Sequence, residues 1–119
     1  MILLVEDEAL ARRAFAQILR FEGHEVMEAG DGVEALILLE KYHFDLVITD
    51  LVMPNINGLS LIARIQVRWP KTAILLTSAY LTPQAAQVVL EGKPEFIHKP
   101  IDPPLLIETV QRLIPRHAS

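Results

Sequence analysis

Leu46-Val47-Ile48-Thr49-Asp50 decides the reading of this chain: a short apolar run, with the character of a buried strand, that ends on an acid. Working outward, Ile2-Leu3-Leu4-Val5 runs in the same way into Glu6-Asp7. Ala73-Ile74-Leu75-Leu76-Thr77 leads to Ser78, and Glu95-Phe96-Ile97-His98 leads to Lys99-Pro100. In an open parallel sheet, ligands sit outside the carboxyl ends of the strands, where the strand order reverses. Carboxylates, a hydroxyl and an ammonium are therefore expected on one rim, a set that suits a divalent cation and a phosphoryl group.

Between these runs lie helical patterns. Helix one is predicted from about Glu8 to Phe21, with Ala11, Ala14, Phe15, Ile18 and Leu19 on its inner stripe and Gly23 as its stop. Strand two covers about Glu25–Glu28, and Asp31-Gly32 turns into helix two, about Val33–Tyr42. Helix three starts near Gly58, buries Leu61, Ile62, Ile65 and Trp69, and ends at Pro70. Thr82-Pro83 makes an N-cap and first helical position for helix four, about Pro83–Glu91. Helix five covers about Pro103–Ile114, with Leu106, Val110, Leu113 and Ile114 inward.

Alternating strands and helices imply a parallel sheet covered on both faces. Strands one, three and four are nearly all apolar, as central strands should be. Strands two and five carry Glu25, Glu28, Glu95 and His98, as edges can. The expected order is 2-1-3-4-5, with five helices on the two faces and strands one and three adjacent at the reversal.

The chain has 119 residues, enough for one domain: 1–115 as a unit, with 116–119 a short tail and no output domain. Its 51% hydrophobic and 22% charged content suits a packed core. Net charge is −4 and there is no basic run, which disfavours direct nucleic-acid binding. The absence of cysteine excludes disulfides and thiolate metal sites. No apolar stretch reaches the roughly 18 residues of a membrane span, and Met1 leads straight into strand one, so a cytoplasmic location is expected.

Each candidate residue has an ordinary role when taken alone. Asp7 could cap helix one, Asp50 could close strand three, Ser78 could cap a strand end, and Lys99-Pro100 could be a turn. Their joint placement carries more weight. Three carboxylates at adjacent strand ends repel one another unless a cation is present. Magnesium is the ion of choice, since it takes oxygen ligands and often uses one or two carboxylates plus a phosphate; manganese is the alternative. His24, His43, His98 and His117 share no ligand spacing. A carboxylate can also act as a nucleophile and form an aspartyl phosphate. Phosphoryl transfer then needs mainly positioning and charge neutralisation, which Lys99 and Ser78 could supply.

Ile2-Leu3-Leu4-Val5-Glu6-Asp7-Glu8, Asp50-Leu51-Val52-Met53-Pro54-Asn55-Ile56-Asn57-Gly58, Leu76-Thr77-Ser78-Ala79 and Lys99-Pro100 resemble the receiver domain of two-component response regulators. The resemblance spans nearly the whole chain, in order and spacing, and implies a flavodoxin-like fold. It implies that Asp50 accepts a phosphoryl group from a phosphohistidine on a sensor histidine kinase or histidine phosphotransfer protein. Glu6 and Asp7 match the metal-binding acids, Asp7 directly and Glu6 through water, with the Val52 backbone carbonyl completing the protein ligands. Glu6 departs mildly from the family, where Asp is commoner. Lys99 matches the phosphate-pairing lysine, preceding a cis bond to Pro100. Ser78 matches the switch hydroxyl, with Thr77 as its rival, and Phe96 the aromatic that follows it. Activation would reshape the face made by helix four, strand five and helix five, with a phosphorylation-dependent homodimer as a further option. Val52 and Tyr80 occupy the positions that frame the attacking water, and imply slow loss of phosphate. Leu10, off the inward stripe, is an apolar contact for the kinase or packs on a neighbouring helix.

The chain is thus expected to be a signalling phosphoacceptor rather than a turnover enzyme. A magnesium-dependent aspartyl-phosphate phosphohydrolase would want a general acid two residues past Asp50, where Val52 stands, and a substrate cap. A flavin carrier would want a Ser/Thr/Gly-rich phosphate loop in place of Glu6-Asp7. A docking-only pseudo-receiver would not need Asp50, Asp7, Ser78 and Lys99 together.

Overall fold

The computed structural model describes residues 1–82, 84, 85 and 95–114. In chain order they form β1 (Ile2–Val5), α1 (Ala9–Phe21), β2 (Val26–Ala29), α2 (Gly32–Lys41), β3 (Leu46–Asp50), α3 (Gly58–Arg68), β4 (Ala73–Ser78), β5 (Glu95–His98) and α4 (Pro103–Leu113). The strands make one parallel sheet in the order β2-β1-β3-β4-β5. This is the flavodoxin-like arrangement, with the order reversing between β1 and β3. The described residues hold four helices rather than five. The remaining expected helix, Pro83–Glu91, lies almost wholly outside them, although the Thr82 hydroxyl accepts the Ala85 N–H at 3.1 Å, as a cap there would.

Strand alternation divides the core in two. Leu3, Val5, Val47 and Leu76 face α2 and α3, where they meet Ala35, Leu39, Leu61 and Ile65. Ile2, Leu4, Ile48, Leu75 and Ile97 face α1 and α4, where they meet Ala16, Leu19, Leu106 and Val110. Apolar residues on both faces explain why the central strands read as unbroken runs.

Side-chain caps set most helix starts. Asp31 accepts the Glu34 N–H, Asn57 the Ser60 N–H, and Asp102 the Leu105 N–H. Glu8, before α1, makes no such bond. Two packing expectations, for α1 and for Trp69, need correction. On α1, Ala16 is buried and Ala14 exposed, because the helix leans on the sheet through Ala16 and Leu19. On α4, Leu106, Val110, Leu113 and Ile114 all pack inward as expected, the last two half-buried at the helix end, and Thr109 is buried beside them. Trp69 lies just past α3 and is half-buried, with Arg68 stacked 4.7 Å from its ring centre.

Gly58 has a steric reason. A Cβ there would lie 2.3 Å from the Asp50 carbonyl oxygen and 2.8 Å from the Leu51 Cα. The Gly58 N–H donates to the Leu51 carbonyl at 2.7 Å. Close approach, more than the freedom to turn expected from the sequence, requires glycine here, and the contact holds the end of β3 where Asp50 stands.

Candidate functional site

The parallel register brings the strand ends level. Val5 pairs with Thr49, Asp50 with Thr77 and Ser78 with His98, so Glu6 and Asp50 emerge side by side, and Lys99 emerges on the same rim two strands from Asp50. Glu6 and Asp50 are buried and Asp7 is exposed, and each offers an oxygen within 4.8 Å of the others. Lys99 Nζ donates to Glu6 Oε1 at 2.6 Å and to Asp50 Oδ2 at 3.0 Å. The remaining oxygens also accept: Glu6 Oε2 from the Glu8 N–H at 3.1 Å, Asp50 Oδ1 from the Leu51 N–H at 2.8 Å. Among the described residues, no hydrogen bond to the Asp7 carboxylate is seen. The Lys99–Pro100 bond is cis.

The electrostatics are unbalanced. Burial disfavours the Lys99 ammonium, but its bonds to Glu6 and Asp50 outweigh that and hold its pKa above the usual range. Burial pushes the Glu6 carboxyl up; Lys99 and the Glu8 N–H offset this only in part, and the Asp50 charge adds to it. One ammonium among three carboxylates leaves the corner short of positive charge. A donor set of closely spaced hard oxygens with unneutralised charge fits Mg2+.

Above these groups lies a cavity of about 470 Å³, lined by Glu6, Asp7, Glu8, Asp50, Val52, Ala79, Tyr80 and Lys99. Most of the residues picked from the sequence meet there. Val52 and Tyr80 stand at the rim, 51% and 77% exposed. Ser78 does not line the cavity. It is fully buried, and its hydroxyl accepts the Tyr80 N–H at 2.9 Å. Thr77 is buried too, and its hydroxyl points across the sheet to the Thr49 carbonyl at 3.4 Å. Phe96 is half-buried against the α2–α3 side of the core, edge-on to His98 at 6.4 Å between ring centres. Leu10 is 82% exposed, so it does not pack on a neighbouring helix.

Two contributors went unread in the sequence. Glu8 lines the cavity, and its position directly after the acid pair was a signal for it. Arg12 donates from Nη1 to the Glu6 carbonyl at 2.8 Å, a contact for which neither spacing nor composition gives a sign.

Fold and site define a doubly wound α/β domain with an acid–lysine corner at the reversal of its strand order. The profile of the response regulator receiver domain matches residues 2–111, and the chain belongs to that family. It is 41% identical over 104 residues to protein-glutamate methylesterase/protein-glutamine glutaminase 3 of Rhodospirillum rubrum, covering 83% of this chain and 28% of that one. Among solved structures, the receiver domain of NtrX from Brucella abortus superposes with a TM-score of 0.87 at 29% identity, covering 95% of this chain and 97% of that one. The response regulator TrrA of Thermotoga maritima, solved in complex with Mg2+-BeF, superposes with a TM-score of 0.85 at 32% identity and the same coverage. The chain spans between about a quarter and a little over half of the length of three curated relatives it matches. Receiver domains of two-component systems take phosphoryl groups from histidine kinases and act on output domains. Among the described residues no helix is long and apolar enough to cross a membrane.

Proposed function

We propose that Asp50 is the phosphoacceptor of a two-component signalling switch. The observation that carries this is its place: a buried carboxylate at the reversal of the strand order, bonded to Lys99 and flanked by two further acids beneath an open cavity. A carboxylate oxygen of Asp50 attacks phosphorus, the bond from phosphorus to the donor's imidazole nitrogen breaks, and the electron pair leaves with the imidazole. The product is an aspartyl phosphate, a mixed anhydride. Lys99, already 3.0 Å from Asp50, pairs with one oxygen of the arriving group and keeps its proton. Asp7, Asp50 and, through water, Glu6 would hold Mg2+, with the Val52 carbonyl as a further ligand; when bound, the ion neutralises charge on the transferring phosphoryl.

The signal then passes to β4 and β5. Ser78 turns its hydroxyl toward a phosphoryl oxygen, Phe96 moves inward, and the face carrying β5 and α4 changes shape. Such a switch needs contacts that differ between its states: here the Ser78 hydroxyl oxygen accepts the Tyr80 N–H, and in the phosphorylated state its O–H would donate to a phosphoryl oxygen. Leu10, exposed beside the acid pair, is the apolar contact for the kinase.

Incubation with Mg2+ and acetyl phosphate should add one phosphoryl mass to the protein, and the mass should map to Asp50. Asp50→Ala should abolish it. Undiminished labelling of that variant would overturn the assignment.

A further inference from the structure

We propose that Arg12 is the positioning residue of the acid pair: its guanidinium fixes the Glu6–Asp7 peptide and thereby aims Asp7 at the cation. The inference rests on the reading of Glu6, Asp7 and Asp50 as the magnesium site. Glu6 is held on every side. Its N–H donates to the Ala29 carbonyl at 3.0 Å, its carboxylate serves Lys99 and the Glu8 N–H, and its carbonyl accepts Arg12 Nη1 at 2.8 Å. The Asp7 carboxylate has no hydrogen bond among the described residues. The Glu6 carbonyl belongs to the peptide that carries the Asp7 nitrogen, so what fixes that carbonyl fixes the backbone from which the Asp7 carboxylate reaches the cation.

Arg12 is well placed to do so. It sits in the first turns of α1, a helix without a side-chain cap, and spans from that helix to the residue following β1 and to β2. Its Nε meets Glu28 Oε1 at 3.3 Å, and the other Glu28 oxygen meets Arg20 at 3.3 Å. The Arg12 side chain is only 19% exposed, so these contacts are sheltered from bulk water. Gly30 leaves the room it needs: a Cβ there would lie 3.3 Å from Arg12 Nη1. A planar fork can grip a carbonyl and a carboxylate at once, whereas an ammonium keeps the charge but not the fixed angle between its donors.

Arg20 provides the contrast. It shares Glu28 and donates to the Val26 carbonyl at 2.8 Å, but it does not reach the acid loop. Mg2+ affinity of the full chain, measured by calorimetry, should therefore separate the two arginines. Arg12→Ala should weaken binding by about tenfold, the lower end of what losing an outer-shell partner costs a metal site. Arg12→Lys should fall between. Arg20→Ala should lower the melting temperature with Kd unchanged. Labelling by acetyl phosphate should slow in Arg12→Ala at low Mg2+ and recover at saturating Mg2+, a split that a general folding defect would not produce. A folded Arg12→Ala or Arg12→Lys with the Kd of the unmodified protein would overturn the inference alone. No Mg2+ binding by the unmodified protein would overturn the reading of the site, and this inference with it.

Discussion

The two corners of the rim are built differently. At the ends of β1 and β3, Glu6 and Asp50 are both already bonded to Lys99, which reaches over from the end of β5, and the β3 end is pinned against Gly58. At the ends of β4 and β5, Ser78 is tucked out of the cavity, Phe96 is half-buried and Tyr80 stands largely in solvent. On the proposed function, the first corner is preorganised for chemistry, and little would move when a phosphoryl group arrives. The second would have to rearrange to report that arrival, so the proposed function assigns the transfer to one corner and its sensing to the other.

The strongest way to break this division is to exchange the consequences. Asp7→Ala should abolish labelling by acetyl phosphate and remove the stabilisation by Mg2+, roughly 1–3 kcal/mol when the ion is ten- to a hundredfold above its Kd. Ser78→Ala should still be labelled at Asp50, yet lose the spectral change at Phe96 when beryllofluoride binds. If Ser78→Ala cannot be labelled, or keeps the Phe96 change, the two corners are not divided as described.

The pinning of the first corner can be loosened directly. Gly58→Ala places a methyl group 2.3 Å from the Asp50 carbonyl. Overpacking of this kind costs about 1–3 kcal/mol, which chemical denaturation would read, and the displaced Asp50 should label more slowly. Unchanged stability would show that the β3 end is not held there.

The rim residues Val52 and Tyr80 allow a further test of the division. Val52 offers an attacking water no polar partner, and the Tyr80 ring stands beside the cavity. Replacing both, Val52→Asn with Tyr80→Glu, should speed loss of phosphate by about tenfold, equivalent to about 1.4 kcal/mol of barrier, in a partner-free assay. Unaltered lifetime of the aspartyl phosphate would remove these two from any part in timing the signal.

The smallest effect is electrostatic. With its carboxyl held above the usual 4.5, Glu6 binds its proton more readily in the folded chain than in the unfolded one. Its contribution is present below pH 4.5 and is lost as pH rises through the folded value. In metal-free buffer, stability measured against pH should decline through that window, and Glu6→Gln should flatten the decline. A slope identical in both proteins would show that the Glu6 carboxylate is already compensated.

Much of this was legible in the residues. Apolar runs ending on Glu6-Asp7, Asp50, Ser78 and Lys99 located the rim, and Glu25, Glu28, Glu95 and His98 marked the edges that order the sheet. These signals are local: a strand buried on both faces must be apolar throughout, and the residue after it must stand at its end. Other features had no local signature. That α1 buries Ala16 and exposes Ala14 depends on how the helix sits on the sheet, since both are alanine. Glycine at 58 read as a turn, and only the nearness of the Asp50 carbonyl shows that it makes way for backbone.

The residues alone carried the family, the strand order and the strand ends from which the rim is built, because periodicity and strand ends are properties of neighbours along the chain. Tertiary structure alone decided how those side chains are used. Lys99 meets Glu6 from 93 positions away and Asp50 from 49, and Arg12 reaches back to the Glu6 carbonyl across a helix start. Each of these bonds is settled by competition among donors and acceptors that only the packed sheet brings within reach.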